Sequence, residues 1–342
     1  MQYFRSAGTS YQIGFLHGQH FKTEIQRAYL QHCNFEMETA RLKEICYDIK
    51  IKMEHLLPYA VDELRGIAEG SGMEFDQALM LNNWEEIVQL CGESKHSCCT
   101  SITFRGTDFG TILGKTTDIE PFQVADYFLS EIEPDAGYHS LFLGKIGTLK
   151  CEAGINEKGL CIGSNSAIEK NKQIGDLERM TLLHYVLQNC DSIDAAIAFL
   201  QEHRFYRLGL NVTLIDRSGR AVVAECGNTH MAQREIQDLV GYATNHYVIP
   251  EMAAKYDYDI WYYQNSLERF QLLQQKLSDC GTPRTIDDMM RLIQSHEESG
   301  SICNHSSCCE TMYATIWVPE LLSVWVCDGR PCESAFQQWK MS

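Results

Sequence analysis

The sequence contains no run of about 18 consecutive apolar residues, and its opening, "MQYFRSAGTSYQIGFLHGQHF", has no continuous apolar stretch of the kind a secretion signal carries. Neither a membrane span nor an export leader is expected, and the chain reads as cytoplasmic. Runs of Lys and Arg are missing too. Against 29 basic residues stand 46 acidic ones, a formal net charge of −17, which repels phosphate backbones and anionic lipid surfaces. Nucleic acid and membranes are therefore not expected as partners. There is no internal repeat, low-complexity tract or flexible linker. A disulfide framework is also absent in pattern: fifteen cysteines, an odd number, are scattered through a chain of 342 residues, so most read as free, buried, small hydrophobes.

What is present is the composition of a folded enzyme-sized chain, 44% hydrophobic and 22% charged, enough to bury one large core or two modest ones. Over roughly the first hundred residues, "SYQIGFLHGQHFKTEIQRAYLQ", "PYAVDELRGIAEGSG" and "DQALMLNNWEEIVQL" place apolar residues three and four apart, with Pro58 at a start and Gly70 and Gly72 at a stop. This part reads as helical. The period then changes. "TSITFRGTDFGTILGK" predicts a hairpin turned between Gly106 and Gly110, and "SLFLGKIGTLKCEAGINEKGLCIGSNS" continues in short strands. Two amphipathic helices follow, in "ERMTLLHYVLQNC" and "DSIDAAIAFLQEH", the second capped by Asp191 or Ser192. Strands return in "LNVTLIDRSGRAVVAEC" and "LVGYATNHYV"; helices in "QNSLERFQLLQQKL" and "TIDDMMRLIQSH" precede a last hairpin, "TMYATIWVPELLSVWVCDGRP". Hairpins with helices between them predict an α+β layered fold, antiparallel inside and covered by helices outside.

The switch in period falls at "HSCCTSITF", where Cys98 and Cys99 stand side by side at the mouth of a strand. Neighbouring Cα atoms are only about 3.8 Å apart, below the disulfide range, so the pair is not a staple. Catalysis, metal binding and plain packing stay open. A cysteine at a strand start has one specific use if the chain is cut just before it: the thiolate attacks the preceding carbonyl, an N-to-S shift forms a thioester, and water frees a new N-terminus. The new α-amino group, with an ordinary pKa near 7.7 to 8, can then serve as general base for the thiol on the same residue. The competing reading is a buried cysteine with no chemistry.

Two opening stretches, "GTSYQIGFLHGQHF" and "DELRGIAEGSGM", and five motifs in order, "CTS", "GKTTD", "GINEKGLCIGSNS", "TNHY" and "CDGRPCE", resemble the isopenicillin-N acyltransferase (peptidase C45) family of N-terminal-nucleophile hydrolases, relatives of choloylglycine hydrolases and penicillin V acylases. The resemblance spans nearly the whole chain. It implies a four-layer αββα sandwich in which residues 1–98 form a helical α chain and 99–342 the catalytic β chain, together one structural domain. It makes Cys99, not Cys98, the nucleophile, with Asp118 placing the α-amine, the backbone N–H of Asn165 facing the reacting carbonyl, the side chain of Asn245 donating to the oxyanion, and Arg330 neighbouring the thiolate. A solvated turn acid, a turn-forming Asn and a surface Arg are the plain readings of Asp118, Asn245 and Arg330. The family's Gly-Gln-Asn-Trp-Asp is here Gly114-Lys115-Thr116-Thr117-Asp118, without the amide and the indole, so the substrate does not transfer by analogy.

The activity implied is attack on a linear amide or a thioester, with acyl-coenzyme A a candidate donor. Water resolves the acyl-enzyme in an amidase, an amine in an acyltransferase. The expected partners are that small N-acyl or acyl-thioester substrate and the chain's own two pieces; homo-oligomerisation is left open. No cofactor is expected. Cys303, His305, Cys308 and Cys309 in "CNHSSCC" have zinc-ligand chemistry but not C-x-x-C spacing, and read as loop and strand-edge residues over the cleft. A zinc-stabilised or non-catalytic binding protein of the same fold is the alternative.

Overall fold

The computed structural model describes residues 1–34, 38–90, 98–119, 127–170, 177–203, 208–256, 258, 260–279, 281–296, 301–306 and 309–342. The chain begins with a strand, β1 (Gln2–Gly8), which the helical reading of the first hundred residues misses. Six helices follow: α1 (Ser10–His20), α2 (Lys22–His32), α3 (Thr39–Leu56), α4 (Pro58–Ser71), α5 (Phe75–Asn82) and α6 (Trp84–Leu90). Their ends have local causes. Thr9 and Gln12 form a reciprocal capping box at the start of α1, Pro58 occupies the first turn of α4, and Gly72 closes α4 in the left-handed region at φ 72°. Helices α1 and α4 touch backbone to backbone through glycines. A Cβ on Gly14 would sit 2.0 Å from the Glu63 carbonyl oxygen and one on Gly66 2.2 Å from that of Tyr11.

The strands that follow are β2 (Cys98–Thr107), β3 (Gly110–Ile119), β4 (Tyr127–Pro134), β5 (Ser140–Lys145), β6 (Cys151–Asn156) and β7 (Cys161–Ile168). After α7 (Arg179–Asn189) and α8 (Ile193–Glu202) come β8 (Leu208–Ile215), β9 (Ala221–Cys226), β10 (Met231–Glu235) and β11 (Val240–Ala243). The chain closes with α9 (Pro250–Ala253), α10 (Ile260–Lys276), α11 (Ile286–Ile293), β12 (Glu310–Val318), β13 (Ser323–Asp328) and β14 (Phe336–Lys340). As expected, β2 and β3 form a hairpin, with Gly106 and Gly110 at φ 67° and 74°, and Ser192 caps α8 through the Ala195 N–H.

Eight strands in the order β1-β4-β5-β6-β7-β8-β9-β10 make one sheet and six in the order β11-β2-β3-β12-β13-β14 the other. Pairing is antiparallel throughout except between β1 and β4, which run parallel. Three apolar clusters separate the layers. One joins α1–α8 to the eight-stranded sheet, a second, including Leu113, Leu143, Ile155, Val223 and Trp317, lies between the sheets, and a third joins the six-stranded sheet to α10 and α11. The architecture is the αββα sandwich anticipated from the sequence. Among the described residues no helix is long and apolar enough to cross a membrane.

Candidate active site

Strand β2 opens the site, and period-two alternation sorts its side chains. Ile102 and Phe104 join the layer under α10 and α11, while Ser101 points across to the second sheet, where its Oγ donates to Asn165 Oδ1 at 2.7 Å. Cys99 shares the face of Ser101. It is buried, and its register partner on β3 is Thr117, whereas Cys98 pairs with Asp118.

The main chain of Cys99 is held at both ends. Its N–H donates to Asn245 Oδ1 at 2.8 Å, and its carbonyl accepts from Arg269 Nη1 at 2.6 Å. The same guanidinium donates to Thr100 Oγ1 at 2.9 Å and, through Nη2, to Asn245 Oδ1 at 2.8 Å. One buried arginine therefore fixes the strand that carries Cys99 and orients the amide that meets it. Asn245 is set in turn by α10, since its N–H donates to Ser266 Oγ at 2.7 Å. Its Nδ2 is engaged by the Ser166 carbonyl at 2.9 Å. In the intact chain Asn245, expected as a side-chain donor to the oxyanion, faces Cys99 as an acceptor. Among the described residues, Asn165 Nδ2 is a buried amide nitrogen without a hydrogen-bond partner.

Burial pushes the Cys99 thiol up to about 11; the Lys115 ammonium opposes this, and the carboxylates of Glu152 and Asp118 reinforce it. Lys115 is fully buried on β3, donates to the Thr116 carbonyl at 2.9 Å, and lies 3.8 Å from Glu152 Oε2, whose other oxygen accepts from Tyr127 OH at 3.0 Å. Asp118 is buried, not a solvated turn acid. Burial raises its pKa while Arg269 and a hydrogen bond from Thr311 Oγ1, at 2.7 Å, lower it; its Oδ2 is buried without a partner among the described residues. His246, beside Ser266, is pushed down to about 4 by burial and is neutral at ordinary pH.

The structure thus brings Cys99 together with Asn165 and Asn245, with Asp118 on the neighbouring strand. It does not bring Arg330. That side chain is substantially exposed and pairs with Glu310 and, at 3.2 Å, with Glu333, and it is not among the charges that bear on the thiol. The arginine of the site is Arg269, which the sequence reading passed over. A signal for it exists: on α10 the buried positions Tyr262, Ser266, Arg269 and Leu273 form one stripe at spacings of four, three and four, so three polar residues occupy what should be an apolar face. Lys115, noted only as a departure from a motif, was missed as a partner of the thiol. Of the "CNHSSCC" residues, Cys309 is buried in a cluster with Cys98, and Cys308 lies outside the described residues.

Comparisons with known proteins bear on the family and the fold. The family described as acyl-coenzyme A:6-aminopenicillanic acid acyl-transferase matches residues 105–333, two thirds of the chain. The 40 kDa form of the acyl-coenzyme A:6-aminopenicillanic-acid-acyltransferase of Emericella nidulans is 28% identical over 116 residues, 32% of this chain and 32% of that protein, so the match spans about a third of the relative's length. Among solved structures, a mutant of the conjugated bile acid hydrolase of Clostridium perfringens superposes with a TM-score of 0.50 at 13% identity, covering 71% of this chain and 97% of its own. The N-acylethanolamine-hydrolyzing acid amidase ortholog of Caenorhabditis elegans gives 0.47 at 14% identity, covering 65% and 94%.

Proposed function

Because the chain belongs to the acyl-coenzyme A:6-aminopenicillanic acid acyl-transferase family, within the N-terminal-nucleophile hydrolases, we propose that it is a self-processing cysteine amidase or acyltransferase whose nucleophile is Cys99. The observation that carries the reading is the grip on the Cys99 N–H. In the intact chain this nitrogen already sits on Asn245 Oδ1, which Arg269 orients, so cleavage would release an α-amine into a prepared acceptor. A base must be neutral to work, and both burial and a neighbouring guanidinium disfavour the ammonium form. The amine and the thiol on one residue then form the nucleophile-base pair.

In processing, Sγ attacks the Cys98 carbonyl carbon, the C–N bond to Cys99 breaks as nitrogen takes a proton, and water hydrolyses the resulting thioester to leave the Cys98 carboxylate and a free thiol. In turnover the same sulfur attacks the carbonyl of an N-acyl or acyl-thioester substrate, acyl-coenzyme A being the donor that the family's description suggests. The α-amine takes the thiol proton and passes it to the departing amine or thiol. Water completes an amidase cycle, an amine acceptor a transferase cycle. Asp118, with one buried oxygen unpartnered, supports placement of the new amine. No step calls on a metal.

Intact mass tests the reading. Wild-type protein is expected as two pieces dividing before Cys99, and Cys99→Ala as one. Incubation with N-acyl amino acids, N-acyl amines and acyl-coenzyme A should add an acyl mass to the piece beginning at Cys99. A Cys99→Ala protein that still splits, or a Cys98→Ala protein that does not, moves the nucleophile. A chain that neither splits nor loads is a binding protein of this fold.

A further inference from the structure

A second cluster of nucleophilic and ligating side chains lies at the edge of the six-stranded sheet, where the connection from α11 to β12 meets the turn between β13 and β14. There the ligand atoms of His296, His305 and Cys332 all fall within 4.8 Å of one another. Cys303 borders this group without meeting that spacing to all three: its Sγ is 3.2 Å from His305 Nε2, and Cys332 Sγ is 3.3 Å from the same nitrogen. The imidazoles of His296 and His305 lie alongside each other with centroids 4.4 Å apart.

We propose that Cys303, His305, Cys332 and His296 form a structural zinc site that ties these two connections together. Bond lengths of about 2.3 Å to sulfur and 2.05 Å to nitrogen in a tetrahedron put neighbouring S and N ligands about 3.5 Å apart. The two observed S···N distances are within a few tenths of an ångström of that edge. Two thiolates and two imidazoles are the donor set that selects zinc over the harder cations, which prefer oxygen.

The backbone holds the four in place without the metal. The Cys303 N–H donates to the Ser295 carbonyl at 3.1 Å, which sets His296 beside Cys303. On the other side, the Gly329 N–H donates to the Met312 carbonyl at 2.8 Å, and the Glu310–Arg330 pair fastens the turn that carries Cys332 to β12. Such pre-placement lowers the ordering cost of binding. Cys332 is exposed, giving an ion a way in, while Cys303 is fully buried. The site shares Cys303 and His305 with its sequence motif and adds His296 and Cys332, while Cys309 packs elsewhere, beside Cys98. The connection is tied to Thr311 on β12, whose N–H donates to the Asn304 carbonyl at 2.8 Å and whose hydroxyl donates to Asp118. Zinc would thus fix, at a distance, a partner of an active-site acid.

Metal content of the full chain tests this. Protein purified without chelator is expected to hold close to one zinc per chain, and cobalt(II) added after stripping should develop a thiolate-to-metal charge-transfer band. Cys332→Ser, at an exposed position, should weaken zinc binding at least tenfold against a chelating dye. If that variant does not fold, alkylation of the wild type decides, since zinc should protect Cys332 from the reagent. No zinc, no cobalt–thiolate band and unchanged alkylation of Cys332 overturn the proposal. So does a disulfide between Cys303 and Cys332 in the non-reduced protein. None of these readouts depends on turnover, so the catalytic reading stands or falls separately.

Discussion

A buried amide nitrogen with nothing to donate to costs about 1–3 kcal/mol, and among the described residues Asn165 Nδ2 is such a group, on the sheet facing that of Cys99, with its Oδ1 accepting from Ser101. A substrate oxyanion would satisfy it. Asn165→Ala is therefore expected to slow single-turnover acylation by about a hundred- to a thousandfold with little change in binding, the signature of a donor used in the transition state. A near wild-type rate on folded, processed protein would place the donor elsewhere. Asn245→Ala should instead impair splitting first, because Asn245 holds the Cys99 nitrogen. At this scale the sequence was readable where chemistry forces a residue type at a fixed offset: Cys99 and Asp118 flank one hairpin, so their relation is local. It was misleading for Arg330, where a motif was matched without knowing which way its turn faces. For Arg269 it held only the polar stripe on α10, since nothing local tells that a residue 170 positions away will reach the Cys99 carbonyl.

Among the elements, the pairing of α1 with α4 is the most exacting, because glycines on both helices let the two backbones meet. Gly66→Ala puts a methyl group 2.2 Å from the Tyr11 carbonyl oxygen, backbone against backbone, with no flexible side chain to give way. The expected cost is about 1–3 kcal/mol, read as a lower denaturant midpoint; an unchanged midpoint would show that the helices can part cheaply. Both helices were legible from their period, and α4 also from Pro58 and Gly72 at its ends. β1 was not. Its partner is β4, more than a hundred residues on, and parallel pairing at that range leaves no mark in local periodicity. For β11 the sequence was half right: "LVGYATNHYV" reads as a single strand, but pairing with β2 ends at Ala243, after which the chain turns to bring Asn245 to Cys99.

Across the whole molecule, burial of charge sets the response to pH. Glu85 lies 3.2 and 3.3 Å from the ammonium groups of Lys145 and Lys150 and 3.1 Å from Arg179, and these cations hold its carboxyl below the usual range. Glu86 gets the remainder. It is 3.8 Å from Arg179, both its oxygens lack hydrogen bonds, and burial followed by repulsion from Glu178 raises it to about 8. The folded state therefore keeps a proton that the unfolded state has lost between about pH 4.5 and 8, so this group's stabilisation is full below that window and declines across it at about 1.4 kcal/mol per pH unit. Glu86→Gln is expected to flatten the decline between pH 6.5 and 8. His17 and His246, pushed down by burial to about 3 and 4, act the other way, since stability present above pH 6.5 is lost as pH falls through those values. A steeper alkaline decline in Glu86→Gln than in wild type would sink the assignment.

The seven residues of β1 lie along β4 in parallel register, from Gln2 beside Phe128 to Gly8 beside Pro134, so the stretch ahead of Cys99 supplies an edge of the larger sheet as well as its helical cover. If the chain is cut before Cys99, the mature molecule inherits a shape that only the uncut chain could assemble in a unimolecular reaction. After denaturation the two pieces must find each other by diffusion. Recovery of the processed protein on dilution should rise with its concentration, while uncut Cys99→Ala should recover to the same extent at every concentration. Equal recovery of both would mean that the larger piece carries the fold alone. Otherwise the working protein is held by the barrier to leaving its native state rather than by a reversible balance, and its lifetime is set by how rarely β1 lets go of β4.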